Sequence, residues 1–374
     1  MARRGENIYK RKDKRYEGRY IKGHKPDGKP RYGYVYGSKY GEVQAELIAL
    51  KLKYRGQKKN GAERFCGLFS DYLIAWLLSV AETVKASTLA GYRRMIGKYI
   101  CPALGDKPLG KLNQADISGF ADDLKNRNLS DGTRRNILCL LLAVLKQAAK
   151  DGDIDADIIK DIILPTAENK KASALTKTEQ KNLENTVAWD ARGIAILLAL
   201  YTGMRLGEIC ALRWVDIDLI EGLIHVRQTV QRLALGGGKT ALHIGTPKTP
   251  TSRRDIPIPD KLLDYLRVLQ SGASGEYVVT ETGKPADPRT IQYRFYALLC
   301  KAGIRKINFH MLRHTFAVRC LELKMDVVTL SQLLGHASAK MTLDVYGDSL
   351  LEHKKQEIQA LNQLCSFGME RRTA

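Results

Sequence analysis

The sequence predicts a multidomain chain: a small N-terminal three-stranded β-sheet plus a helix, then a helical bundle, then a mainly α domain with a small antiparallel sheet. Three observations predict it. The first 60 residues contain runs that alternate with period two and hold eight of the 17 tyrosines. From Glu63 to about Leu164 the apolar spacing turns helical. Beyond Ser173, helical runs are interrupted between Leu223 and Pro259 by alternating runs that read as strands. At 374 residues the chain is long for one domain. Lysine and arginine total 61 against 40 acids, a formal charge of +21, which implies a polyanionic partner.

Residues 1–60 contain 18 basic and 6 acidic side chains, a net 18 − 6 = +12. RYEGRYIKG and PRYGYVYG alternate as strands around a HKPDGK turn, and Glu42 to Tyr54 forms an amphipathic helix. A sheet packed on one helix leaves its other face open, and a β-sheet can enter a DNA major groove. Lys22, Arg31 and Tyr34 are the candidate DNA contacts of this region; the plainer alternative is a solvated basic leader. Gln57 to Ala62 reads as a linker. Helices follow at Phe65 to Leu77, Ser87 to Tyr92, Asp116 to Leu124 and Thr133 to Ala149. Ser87 and Ser130 are candidate caps, and the apolar run Ile137 to Leu145 is expected at the bundle centre. Lys85, Arg93, Arg94, Lys98, Arg134 and Arg135 are candidates for phosphate contacts, each with an ordinary surface charge as the alternative. Pro165 to Ser173 reads as a hinge.

Thr176 and Glu179 form a capping box that opens the third region. An apolar helix, Ile194 to Tyr201, breaks at Thr202-Gly203, so Arg205 opens a new helix near N–H groups that favour anions. Glu208, three residues on, can brace that guanidinium. LIHVRQTV and TALHIGTP alternate as strands, and TPKTPTSRR turns into RDIPIP, which puts Lys248 at a hairpin tip. Lys239 competes with it, but GGGKT lacks the first glycine of a nucleotide-binding loop. His310 and Arg313 share one helical face. His310 and His314 have zinc-pair spacing, yet Met311 stands where HExxH has its Glu, and Arg313 would repel a cation. Val327 to Leu334 has the spacing of a buried helix, Gly335 is a C-cap that fixes His336 at a corner, and Ser338 can cap a short helix carrying Tyr346.

Arg205 in TGMRLGE, Lys248 in TPKT, His310 and Arg313 in HMLRH, His336 in LGH and Tyr346 in LDVYG resemble, in order and residue type, the six active-site positions of the tyrosine recombinases. The match runs from about Ala172 to Leu350. The layout is most similar to integrases of temperate phages and conjugative transposons. The resemblance implies an arm-type DNA-binding domain over 1–60, a helical core-binding domain over 63–165, a catalytic domain over 172–350, and a C-terminal helix and tail over 351–374. It further implies strand cleavage by Tyr346 through a 3′-phosphotyrosyl link, with Lys248 protonating the departing 5′-oxygen. Double-stranded DNA at core and arm attachment sites, a homotetramer on DNA, an excisionase and a DNA-bending host factor are the implied partners. No cofactor or metal is expected: the link conserves the phosphodiester energy, so ligation needs no ATP, and five cationic or donor groups leave little need for a metal. A type IB topoisomerase shares this chemistry, and a non-catalytic DNA-binding regulator could share the fold. The seven scattered cysteines, without a CxxC pair, suit a reducing cytoplasm. No apolar run is long enough to span a bilayer.

Overall fold

The computed structural model describes residues 8–24, 30–55, 65–160, 162–166, 174–188, 190–236, 239–247, 252–280, 282–336 and 338–346. The chain divides into two compact units, Met1–Asn169 and Lys170–Ala374.

In the first unit, β1 (Ile8–Lys10), β2 (Tyr16–His24) and β3 (Pro30–Gly37) form an antiparallel sheet in the order β1-β2-β3, followed by α1 (Tyr40–Arg55). One sheet face packs Tyr20 and Val35 against Val43 and Leu47 of α1. Gly33 lies opposite Tyr20, and a Cβ there would fall 2.4 Å from the tyrosine ring, so this strand position excludes larger residues. The other face exposes Tyr32, Tyr34 and Tyr36. Arg19 stacks 4.5 Å over Tyr32 and Arg11 5.4 Å over Tyr36. Lys22 falls at a register shift between Ile21 and Gly23 and is exposed, as is Arg31.

Next come α2 (Phe69–Val80), α3 (Ala86–Met95), which continues through a π turn at Ile96–Ile100 into α4 (Cys101–Leu104), α5 (Gln114–Asn126) and α6 (Asp131–Lys150). Phe69, Leu73, Ile100, Ile117, Leu124, Ile137, Leu141 and Leu145 are among the residues of their shared core. The expected α6 run supplies much of that core, but Cys139 and Ala143 face outward. Three local expectations need correction. The first helix starts at Phe69 rather than Phe65, because Leu68 is extended and pairs with Pro108. Ser87 caps nothing: Lys85 holds the cap position of α3 without a side-chain bond, and Ser87 lies within the first turn. The third helix begins earlier than expected, capped by Asn113 in a reciprocal box with Asp116. Ser130 does cap α6, accepting from the Thr133 N–H. Arg93 and Arg94 are exposed on α3, whereas Arg134 is half-buried and paired with Asp131.

The second unit runs α7 (Lys177–Ala188), α8 (Ile194–Thr202), α9 (Leu206–Ala211), β4 (Ile217–Asp218), β5 (Leu223–Val226), β6 (Thr229–Gly236), β7 (Lys239–Gly245), β8 (Arg254–Pro257), α10 (Asp260–Ser271), α11 (Pro288–Lys301), α12 (His310–Glu322), α13 (Val327–Leu334) and α14 (Ala339–Tyr346). The Thr176–Glu179 box forms, with both backbone N–H groups satisfied. Helix α8 is nearly all buried and sits in the main core with Ile224, Phe295 and Leu312. LIHVRQTV is two strands in different sheets: β5 joins β4 and β8, whereas among the described residues β6 pairs with β7 alone. The hairpin that would carry Lys248 at its tip does not form, since β7 and β8 do not pair; Lys248 itself lies outside the described residues. The expected helix and tail after Leu350 and most of the expected hinge also lie outside them. Among the described residues, no helix is long and apolar enough to cross a membrane.

Candidate active site

The site is built around the C-terminal end of α13. Asp326 caps the start of this helix, accepting from the Val328 and Thr329 N–H groups, and Leu330 and Leu334 anchor its inner face. Val328, expected inside, is exposed. Gly335 ends the helix in the left-handed region at φ 63°, as the sequence predicts. Helix ends leave their last carbonyls without intrahelical donors and with partial negative charge. Here three arginines from separate parts of the chain supply the donors. Arg254 Nε donates to the Leu333 carbonyl at 2.6 Å, Arg313 Nη2 to Leu334 at 2.6 Å, and Arg205 Nη2 to Gly335 at 3.3 Å.

Arg313, on the first turns of α12, is only 2 % exposed. Its Nη1 donates to the Gly203 carbonyl at 2.7 Å, tying α12 to the stop of α8. Gly203 itself holds φ 62°, and a Cβ there would meet the Phe316 ring at 2.6 Å. Arg205 follows two residues later and is 36 % exposed at its side chain. The expected Arg205–Glu208 brace forms, at 2.9 Å from Nη1. The N–H of Arg205, expected to favour a bound anion, is instead taken by the Glu208 carboxylate at 2.9 Å.

Glu208 is 3 % exposed and carries a second cation: Arg254 Nη2 and Nη1 approach its two oxygens at 3.0 and 3.3 Å. Burial pushes this carboxyl upward, but the charges and hydrogen bonds of Arg254, then of Arg205, outweigh it and hold it below the usual carboxylate range.

His310 opens α12 and is exposed. Partial desolvation of the ring, then the charges of Arg313, Arg205 and His314, lower its pKa. His336 leaves the α13 stop half-buried, its N–H bonded to the Ser331 carbonyl. Its Nδ1 lies 2.8 Å from the hydroxyl of buried Thr342, on α14. Burial, followed by Arg313, Arg205, Arg254 and His310, pushes the His336 pKa down to about 4, so the ring is neutral at pH 7. Helix α14 begins directly after Ser338 and ends on Tyr346, whose side chain lies outside the described residues. The structure therefore brings together Arg205, Glu208, His310, Arg313 and His336.

A family model for the phage integrase family matches residues 167–353, half of the chain, and a model for the phage integrase N-terminal SAM-like domain matches 68–125. The chain belongs to the phage integrase family of tyrosine recombinases. It is 31% identical to a tyrosine recombinase XerC of Xanthomonas campestris pv. campestris over 71% of this chain and 80% of that one. The ICEBs1 integrase of Bacillus subtilis (strain 168) is 24% identical over 86% of this chain and 90% of its own length. Among solved structures, a truncated Tn1549 transposon integrase in complex with a circular intermediate DNA superposes with a TM-score of 0.67 at 21% identity, over 79% of this chain and 99% of that one. Two polar residues of this cluster carry no assignment from the sequence. Arg254 stands in SRRDIPIP as one of two adjacent arginines, with nothing local to mark it as buried. Thr342 precedes Tyr346 by one helical turn, the only sequence signal for it.

Proposed function

We propose that the chain is a site-specific recombinase that integrates and excises a mobile element. Arg205 and Arg313 hold the two non-bridging oxygens of a DNA phosphodiester as charge grows on them in the transition state. A guanidinium has five N–H donors, so carbonyl bonds that fix its plane are compatible with a phosphate contact. The Tyr346 phenol oxygen attacks phosphorus, the bond to the 5′-oxygen breaks, and a 3′-phosphotyrosyl link remains. His310 takes the phenol proton, which suits its lowered pKa, and Lys248 delivers a proton to the departing 5′-oxygen. Neutral His336, with Nδ1 held by Thr342, donates to the same phosphate through its other nitrogen. Attack by the freed 5′-hydroxyl of the partner duplex reverses these steps and needs no external energy source.

The observation that carries this reading is the set of three guanidiniums on the three consecutive carbonyls Leu333, Leu334 and Gly335, immediately before His336. The reading extends to a homotetramer working in a bacterial cytoplasm on core and arm sites, with an excisionase and a DNA-bending host factor. Lys22, Arg31 and Tyr34 serve the arm site, and Arg93, Arg94 and Arg134 the core site. Domain limits at 1–60, 63–165, 172–350 and 351–374 belong to the same reading. The test uses two supercoiled plasmids, one carrying the joined ends of the element read from DNA flanking the gene and one without them. A recombinase recombines the first and leaves the second supercoiled. Equal relaxation of both would identify a topoisomerase instead.

A further inference from the structure

We propose that Arg254 is a positioning residue for strand cleavage: it holds the Glu208 carboxylate in a shared state that keeps Arg205 turned toward the scissile phosphate. The proposal rests on the recombinase reading of the site. Arg254 lies on β8, its side chain only 6 % exposed, and each of its three guanidinium nitrogens has an assigned acceptor. Nη2 and Nη1 meet the two Glu208 oxygens at 3.0 and 3.3 Å, Nη1 also reaches the Ser252 carbonyl at 3.1 Å, and Nε reaches Leu333 at 2.6 Å.

The consequence falls on Arg205. A carboxylate facing a single guanidinium forms a forked, two-oxygen pair with it. With Arg254 engaged on both oxygens, the Arg205 side chain makes one contact to Glu208, from Nη1 at 2.9 Å, while its Nη2 reaches out to the Gly335 carbonyl. Without Arg254, the buried carboxylate has one cationic partner left, and forked pairing would pull the Arg205 guanidinium inward. The Nε bond acts in the same direction, because it fixes the last turn of α13 from which His336 departs. Arg254 stands six residues after Lys248 in the sequence, at the start of β8.

The test compares full-length wild type, R254K, R254M, E208Q and the double variant E208Q/R254M. DNA affinity and the single-turnover rate of covalent adduct formation are both measured on a nicked duplex built from the joined ends of the element. R254M is expected to bind DNA within about twofold of wild type yet cleave roughly 10- to 100-fold more slowly, the usual effect of losing an outer supporting contact. R254K should fall between the two, since an ammonium supplies charge without the fork. The double variant should be no slower than about threefold below the slower single variant, because removing the carboxylate removes what draws Arg205 away. Should R254M not fold, R254K and the double variant, which leaves no buried charge unpaired, carry the same comparison. Three results would overturn the proposal: wild-type cleavage by R254M, a double variant whose loss equals the product of the two single losses, or DNA binding that falls in step with cleavage. Wild-type protein that forms no adduct at all would overturn the recombinase reading itself, and this proposal with it.

Discussion

Replacing Glu208 with Gln removes one negative charge from a nearly sealed site occupied by two guanidiniums. The carboxylate accepts four hydrogen bonds, from the Arg205 N–H and Nη1 at 2.9 Å each and from Arg254 Nη2 and Nη1 at 3.0 and 3.3 Å. A glutamine offers one oxygen, and its amide nitrogen points N–H groups at a cation. Leaving buried charge uncompensated in this way costs about 3–5 kcal/mol, against a total stability of roughly 5–15 kcal/mol. For a unit of this size, each kcal/mol moves the midpoint by about 2–4 °C, so the variant should melt roughly 6–20 °C lower at pH 7. The sign with pH is fixed by the depressed pKa of Glu208. Its contribution is fully present above the unfolded value of about 4.3 and is lost as pH falls through the lower folded value. Thermal unfolding followed by circular dichroism at pH 7 and at stepwise lower pH should therefore show the two proteins converging in acid. A midpoint within about 2 °C of wild type at pH 7, or a gap that persists unchanged into acid, would refute the reasoning.

Gly203→Ala forces a Cβ into the Phe316 ring from a left-handed backbone and should disturb the carbonyl that holds Arg313. Cleavage should fall by at least about tenfold together with a loss of roughly 1–3 kcal/mol in unfolding free energy, read by denaturant titration. Thr342→Val keeps the shape but deletes the His336 partner; a lost bond of about 1 kcal/mol predicts roughly a fivefold slower adduct formation with unchanged DNA affinity. Removing residues 1–60, with their net charge of +12, should weaken binding to distal sites and flatten the salt dependence of affinity, measured by titration at several salt concentrations.

What was legible in the sequence follows from how local each signal is. Arg205 and His336 could be placed because each follows a helix stop, Gly203 and Gly335, and a left-handed glycine is a local event with a local residue preference. The same locality explains the correct caps at Thr176 and Ser130. Strand pairing is not legible, for the opposite reason. Alternation continues from Leu223 through Val230, and period two announces extended chain without naming its partner, so the passage from β5 in one sheet to β6 in another is silent. Arg254 was unreadable because the carboxylate that makes it significant lies 46 residues upstream. Ser87 misled since a serine near a helix start is a cap at one position and an ordinary first-turn residue two positions later.

Tyr346 is the proposed nucleophile at a phosphate held by the clustered arginines. The direct measurement incubates wild type and Tyr346→Phe with the nicked duplex, then resolves covalent protein–DNA adducts on a denaturing gel and maps the linked peptide by mass spectrometry. Wild type should become attached through Tyr346, and the Phe variant should bind the duplex without attachment. Adduct formation by the Phe variant, or a wild-type link at any other residue, would contradict the account.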